Sequence, residues 1–209
     1  MNDRKNAPIG VFDSGVGGLT VAREIMRNLP GERIVYFGDT ARVPYGTKSK
    51  ETVLRYSRQI VWFLKTQNVK TIVVACNTAS ALALETIQQE TDIPMIGVVK
   101  PGAKVAAETT RNNKIGLIGT SATVKSDLYR TIIQEINPDI QVIGQACPLF
   151  VPLVEEGWWK DPVTVEVAKR YLDPLLEQGI DTLILGCTHY PLLRSLLRGI
   201  ARSEEHTSE

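Results

Sequence analysis

Residues 71–80 read Thr71-Ile72-Val73-Val74-Ala75-Cys76-Asn77-Thr78-Ala79-Ser80. The β-branched run predicts a strand that stops at Cys76. Asn77 and Thr78 then supply capping side chains for a helix continuing through Leu82, Leu84 and Ile87. A second stretch repeats this grammar. Thr182-Leu183-Ile184-Leu185 is a strand-like run, and Gly186-Cys187-Thr188-His189-Tyr190-Pro191 follows it. Outward from these two stretches, apolar runs at Ile9–Phe12, Ile34–Phe37, Pro94–Val99, Ile115–Ile118 and Ile140–Ile143 alternate with helix-like segments. Leu19–Leu29 places Val21, Ile25 and Leu29 on one face. Val53, Tyr56, Ile60, Phe63 and Leu64 trace another helical stripe. Val124, Leu128, Ile132 and Ile136 predict a single helix, Pro162 opens one through Leu175, and Leu192–Ile200 forms the last. Pro101-Gly102 breaks the Pro94–Val99 run. Alternation of this kind predicts an α/β protein with largely parallel sheets.

The two halves echo each other. Gly10-Val11-Phe12-Asp13-Ser14-Gly15 compares with Gly116-Leu117-Ile118-Gly119-Thr120-Ser121, and Ile72–Thr78 compares with Leu183–His189. The polar clusters all fall at the carboxyl ends of predicted strands, where ligands bind in parallel α/β sheets. The rest of the composition excludes other classes. Among 209 residues, 43% are apolar and 22% charged, the composition of a globular chain. A net charge of +1 offers no bulk attraction to nucleic acid or to an anionic membrane. No apolar run is long enough to span a bilayer, and MNDRKNAPIG lacks the apolar core of a signal peptide. Three cysteines are too few for a disulfide scaffold, so a cytoplasmic protein with free thiols is expected.

Cys147, in Ala146-Cys147-Pro148, reads as a small buried apolar residue. Cys76 and Cys187 differ, because each ends a strand beside a helix N-terminus, whose dipole favours a thiolate. Three uses compete for this pair. A zinc site can draw on Cys76, Cys187 and His189, but no C-x-x-C spacing is present. A Cys–His nucleophile at Cys187 leaves Cys76 unexplained. Inversion of a carbon stereocentre needs a base on one face and an acid on the other, and two thiols can exchange those roles. Asp13 can then serve Cys76, and His189 with Glu155 or Glu156 can serve Cys187.

Ser14, Asn77, Thr78, Thr120 and Thr188 are small polar groups suited to an amino-acid substrate, whose carboxylate a helix N-terminus can hold. Gly15, Gly17 and Gly18 allow close backbone approach, yet the loop is neither a Walker motif nor G-x-G-x-x-G. Tyr45, in Pro44-Tyr45-Gly46, is an aromatic that can cover a small ligand. Trp158-Trp159 fits a core, a lid or a contact between copies. No lysine stands out for a pyridoxal Schiff base, so the reading is cofactor-independent and metal-free.

Five motifs resemble those of the glutamate racemases, within the aspartate/glutamate racemase superfamily. They are Phe12–Leu19, Pro44–Gly46, Ala75–Ser80, Cys147–Gly157 and Leu185–Pro191, in family order. The resemblance implies cofactor-independent interconversion of L- and D-glutamate for peptidoglycan and cell-wall biosynthesis. It implies Cys76 and Cys187 as the catalytic thiols on opposite faces of Cα, Asp13 supporting the first, and His189 and Glu155 the second. It implies Asp13–Ser14, Tyr45–Gly46, Asn77–Thr78 and Thr188–His189 as substrate-holding pairs. Two pseudo-symmetric domains, 1–98 and 99–201, with the site in the cleft between them, and a homodimer for the full-length protein are the expected architecture. Racemisation of aspartate or another small acid, and a non-catalytic two-domain binding protein, are the alternatives.

The resemblance stops near Ile200, and Arg202-Ser203-Glu204-Glu205-His206-Thr207-Ser208-Glu209 reads like a translated sequencing-library adapter. The expectation is a C-terminally truncated chain with a non-native tail at 202–209. The first domain would then lack its returning segment, expose apolar surface on its sheet, and be poorly soluble.

Overall fold

The computed structural model describes residues 5–205, with side chains described up to Arg202. Of the expected non-native tail, His206–Glu209 lie outside the described residues, and the last helix runs to Glu205. The chain divides into two compact units, Met1–Pro101 and Gly102–Glu209.

In the first unit the strands are β1 (Ile9–Asp13), β2 (Ile34–Gly38), β3 (Thr71–Val74) and β4 (Met95–Gly97). They form one parallel sheet in the order β2-β1-β3-β4. Parallel pairing forces helical crossovers, supplied by α1 (Leu19–Asn28), α2 (Lys50–Thr66), α3 (Asn77–Leu82) and α4 (Leu84–Gln89). Every residue of β1 is buried, because helices cover both of its faces. Phe12, Ile72 and Val74 pack with Val53, Ile60 and Leu64 of α2 and Ile87 of α4. On the opposite face Ile9, Val11 and Ala75 pack with Ala22 of α1.

The second unit holds β5 (Lys114–Gly119), β6 (Gln141–Ala146) and β7 (Thr182–Gly186), parallel and in the order β6-β5-β7. Its helices are α5 (Val99–Thr109, which begins before the division), α6 (Ser121–Lys125), α7 (Leu128–Ile136), α8 (Phe150–Glu155), α9 (Pro162–Leu176) and α10 (Arg194–Glu205). Ile118 and Cys187 pack with Phe150, Leu172, Tyr190 and Leu197 in this unit's main core.

The halves share a topology: a central strand, β1 or β5, flanked by the next strand on one side and the one after on the other. The sequence echo therefore marks equivalent strands. Connections leave the central strand in opposite directions, which makes its carboxyl end a topological switch point in each unit. Asp13 ends β1 and Cys76 lies just past β3, its neighbour. Thr120 follows β5 and Cys187 follows β7, also its neighbour.

Three expectations need correction. Pro101-Gly102 is not what breaks the Pro94–Val99 run: the strand ends at Gly97, and both residues lie inside α5. A proline in a first turn sacrifices an N–H with no intrahelical acceptor, so it is tolerated there. The predicted single helix through Val124 and Ile136 is two, α6 and α7, separated at Asp127 with φ 59°. The break rotates the buried face to Tyr129 and Ile133, and Ile136 is left exposed. The last predicted helix opens as a 3-10 turn, Tyr190–Leu193, before α10. No helix among the described residues is long and apolar enough to cross a membrane.

Candidate active site

In the first unit, Cys76 is the N-cap of α3, and its Sγ accepts from the Ala79 amide at 3.5 Å. Ser14 Oγ lies 3.6 Å from the same sulfur. Asp13 is fully buried, and its Oδ2 accepts from the amides of Gly15 and Gly18 at 3.0 Å each. Gly18 has no alternative, since a Cβ there would stand 2.3 Å from Asp13 Cβ. The carboxylate is thus fixed by the loop that follows it. Asn77 and Thr78 open α3, and both are buried.

Two opposing influences act on the Cys76 thiol. The Ala79 amide and Ser14 pull its pKa down, as a helix N-terminus should. Burial, and then the nearby Asp13 carboxylate, push it up more strongly, to about 11. The thiolate expected from the capping position alone is outweighed, and Cys76 rests as a neutral thiol at pH 7.

Tyr45 is not an exposed turn aromatic. Its side chain is buried in the core of the first unit, and its hydroxyl bonds Asp39 Oδ2. Asp39 also pairs with Arg42 at 2.7 Å, and its amide donates to Asp13 O at 3.0 Å. This ties the 3-10 turn Tyr45–Thr47 to the end of β2, and Tyr45 and Gly46 are both buried. Asp39 was missed because nothing in the sequence separates a buried anchor from a turn aspartate.

In the second unit, Cys187, Thr188 and His189 form the turn between β7 and the 3-10 helix, and all three are buried. His189 Nδ1 lies 3.8 Å from Cys187 Sγ, and Nε2 lies 3.1 Å from Glu155 Oε1. A thiol, an imidazole and a carboxylate stand in series. Packing explains how Glu155 arrives there. Tyr190 donates its hydroxyl to Cys147 O at 3.0 Å, and its ring meets Phe150 edge-on at 5.2 Å. Phe150 begins α8 and Glu155 ends it. Gly157, with φ 76°, closes α8 in a Schellman motif, where Trp158 N donates to Leu153 O and Gly157 N to Val154 O. Glu156 is the exposed C-cap of the same helix. Helix α8 went unpredicted: it has six residues with a proline inside, too short for a period.

Thr120 caps α6 and accepts from the Thr123 amide at 3.2 Å. Cys147 is fully buried, its thiol pushed up to about 12 by burial. Trp158 and Trp159 are both half-exposed, and the Trp159 indole donates to Val154 O at 2.7 Å. Among the described residues, no group of three or more His, Cys, Asp or Glu side chains is arranged to hold a metal ion.

Residues 9–202 match the Asp/Glu/Hydantoin racemase family. A glutamate racemase of Geobacter metallireducens is 58% identical over 189 residues, 90% of this chain and 70% of its own length. The chain spans between two thirds and three quarters of the length of the curated relatives it matches, 66% for a glutamate racemase of Trichormus variabilis that is 54% identical over 94% of the chain. Among solved structures, a glutamate racemase isoform of Bacillus anthracis superposes with a TM-score of 0.91 at 46% identity, over 94% of this chain and 74% of that one. The Francisella tularensis glutamate racemase in complex with D-glutamate gives 0.88 at 44% identity, over 93% and 73%. With strand-end thiols at equivalent positions in two like-built units and a family match over nearly its whole length, the chain belongs to the Asp/Glu/Hydantoin racemase family.

Proposed function

We propose that the chain is an amino-acid racemase that interconverts L- and D-glutamate by transferring protons at Cα between two thiols. The observation that carries this reading is the pair of cysteines at equivalent switch points, each with its own protonic partners: Ser14 and Asp13 beside Cys76, His189 and Glu155 behind Cys187. The relatives' names supply the substrate.

One thiolate takes the Cα proton, so a new S–H bond forms as C–H breaks. The electron pair left on Cα spreads into the substrate carboxylate. The opposite thiol then donates its proton to the other face of Cα and becomes the thiolate. After one turnover the two cysteines have exchanged states, and the enzyme is set for the opposite enantiomer. No net proton or electron is consumed. The elevated pKa of Cys76 suits proton abstraction from carbon. It lowers the thiolate population but makes that thiolate a stronger base toward a weak carbon acid.

Asp13 and Ser14 assist Cys76. His189, oriented by Glu155, relays protons to and from Cys187. Ser14, Asn77, Thr78, Thr120 and Thr188 hold the substrate's polar groups, with the Tyr45–Gly46 turn contributing backbone amides. Supply of D-glutamate for peptidoglycan, a cytoplasmic location and a homodimeric state follow from the family resemblance, the last testable by light scattering.

The test is incubation of the chain with L-glutamate, without added pyridoxal phosphate or metal, following circular dichroism. The signal should decay to zero, and Cys76→Ala or Cys187→Ala should each slow the decay by about three orders of magnitude or more. Retained racemisation in Cys76→Ala defeats the two-thiol mechanism.

A further inference from the structure

Tyr36 lies on β2 in register with Val11 of β1, and its hydroxyl donates to the carbonyl of Gly15 at 2.7 Å. The same peptide segment is gripped from the other side, since the Gly15 amide donates to Asp13 Oδ2. The packing around the grip leaves no slack. A Cβ on Gly18 would stand 2.9 Å from the Tyr36 hydroxyl, and a Cβ on Gly38 would stand 2.5 Å from Gly15 O. Ser14, whose hydroxyl lies 3.6 Å from Cys76 Sγ, sits between the two held residues, Asp13 and Gly15.

We infer that Tyr36 is a positioning residue for the Cys76 half-site: its hydroxyl locks the Gly15 carbonyl and so holds Ser14 against the thiol. The phenol is suited to this because burial, then the neighbouring Asp13 carboxylate and the Cys76 thiolate once it forms, keep it protonated, a donor at every working pH. Asp13 is the titratable group that acts on Cys76; Cys76 in turn acts on the Tyr36 and Tyr45 phenols, and both titrate above their ordinary range. Cys76 therefore responds to the placement of Ser14 without a competing phenolate. The inference deepens the proposed racemase reading and rests on Cys76 being a reactive thiol. Its test needs no turnover, so the two can fail separately.

The experiment is iodoacetamide alkylation of Cys76 in the intact chain, followed by mass spectrometry on its own peptide from pH 7 to 9.5. Tyr36→Phe keeps the ring that packs with Val11 and Ala22 and removes only the hydroxyl. The rate should fall about threefold or more at each pH, because Ser14 stabilises the thiolate less well. The pH profile should shift upward while the melting temperature changes little. Ser14→Ala should give a similar fall, and Tyr36→Phe in the Ser14→Ala background should add almost nothing. An unchanged or faster rate in Tyr36→Phe, or a further fall of similar size in the double variant, overturns the inference. A loss of melting temperature without a rate change assigns Tyr36 to packing alone, and also overturns it.

Discussion

Cys76 and Cys187 occupy the same place in two like-built sheets, yet they are served by different chemistry. The first thiol faces a carboxylate held wholly inside the protein, with Asp13 spent on the amides of its own loop. The second is linked through His189 to Glu155, whose side chain is 38% exposed. Burial and the Asp13 carboxylate raise the basicity of the first thiol. The second is served by an imidazole bridged to an exposed carboxylate, a pair that can exchange protons with water. In the proposed mechanism, like-built sheets therefore need not carry like machinery: the strand end fixes where a thiol stands, and the local loop decides how it handles its proton.

Short of removing a thiol, the largest effect should come from cutting the second unit's relay. His189→Asn removes the imidazole between Cys187 and Glu155, and turnover should drop by about 10²–10³-fold. Because the equilibrium constant between enantiomers is unity, kcat/KM falls equally in both directions. The asymmetry shows instead in the primary deuterium isotope effects, which should differ between L- and D-glutamate. Equal effects would mean that His189 serves both thiols alike. Glu155→Gln should cost about tenfold in turnover, while Glu156→Gln should cost less than about twofold. Steady-state kinetics of the pair decides which glutamate orients His189.

Next in size is a stability contrast between the switch-point loops. Gly18→Ala forces a Cβ against Asp13 and should destabilise the fold by about 1–3 kcal/mol. Gly119→Ala, where the nearest atoms are 3.4 Å away, should cost about 0.5 kcal/mol or less. Denaturant titration measures both. Similar losses would mean that the Asp13 loop is no more rigid than its counterpart.

The smallest effect concerns pH. A free thiol titrates near about 8.5 in an unfolded chain, whereas folded Cys76 is pushed up to about 11. The raised pKa gives stability that is complete below the unfolded value and drains away as pH rises through the folded one. Melting temperature should hold steady to about pH 8 and decline toward pH 11, less steeply in Cys76→Ala. Identical slopes would show that burial does not govern this thiol.

Much of this arrangement is legible in the sequence. The strand ends at Asp13, Cys76, Thr120 and Cys187 stand out because a β-branched run followed by a capping residue is a local signal. The shared topology follows from the echo between the halves. The remainder depends on tertiary packing. Choosing Glu155 over Glu156 depends on how α8 docks on Tyr190, which no local spacing encodes. The burial of the Tyr45 ring depends on Asp39, a partner outside its own turn. The neutral state of Cys76 depends on summing burial against capping, and the cap alone points the wrong way. The split between α6 and α7 hides behind a helical period that continues in sequence across Asp127.

The central claim is that one thiol takes the Cα proton while the other delivers a different one. Its most direct test is racemisation of L-glutamate in D₂O, stopped while little product has formed. With two bases the acid that protonates Cα carries a solvent deuteron. The D-glutamate formed should then bear one deuterium at Cα, and the recovered L-glutamate should remain protiated. D-glutamate that retains the original Cα proton would mean that a single group moved it from face to face, and the two-thiol account would be wrong.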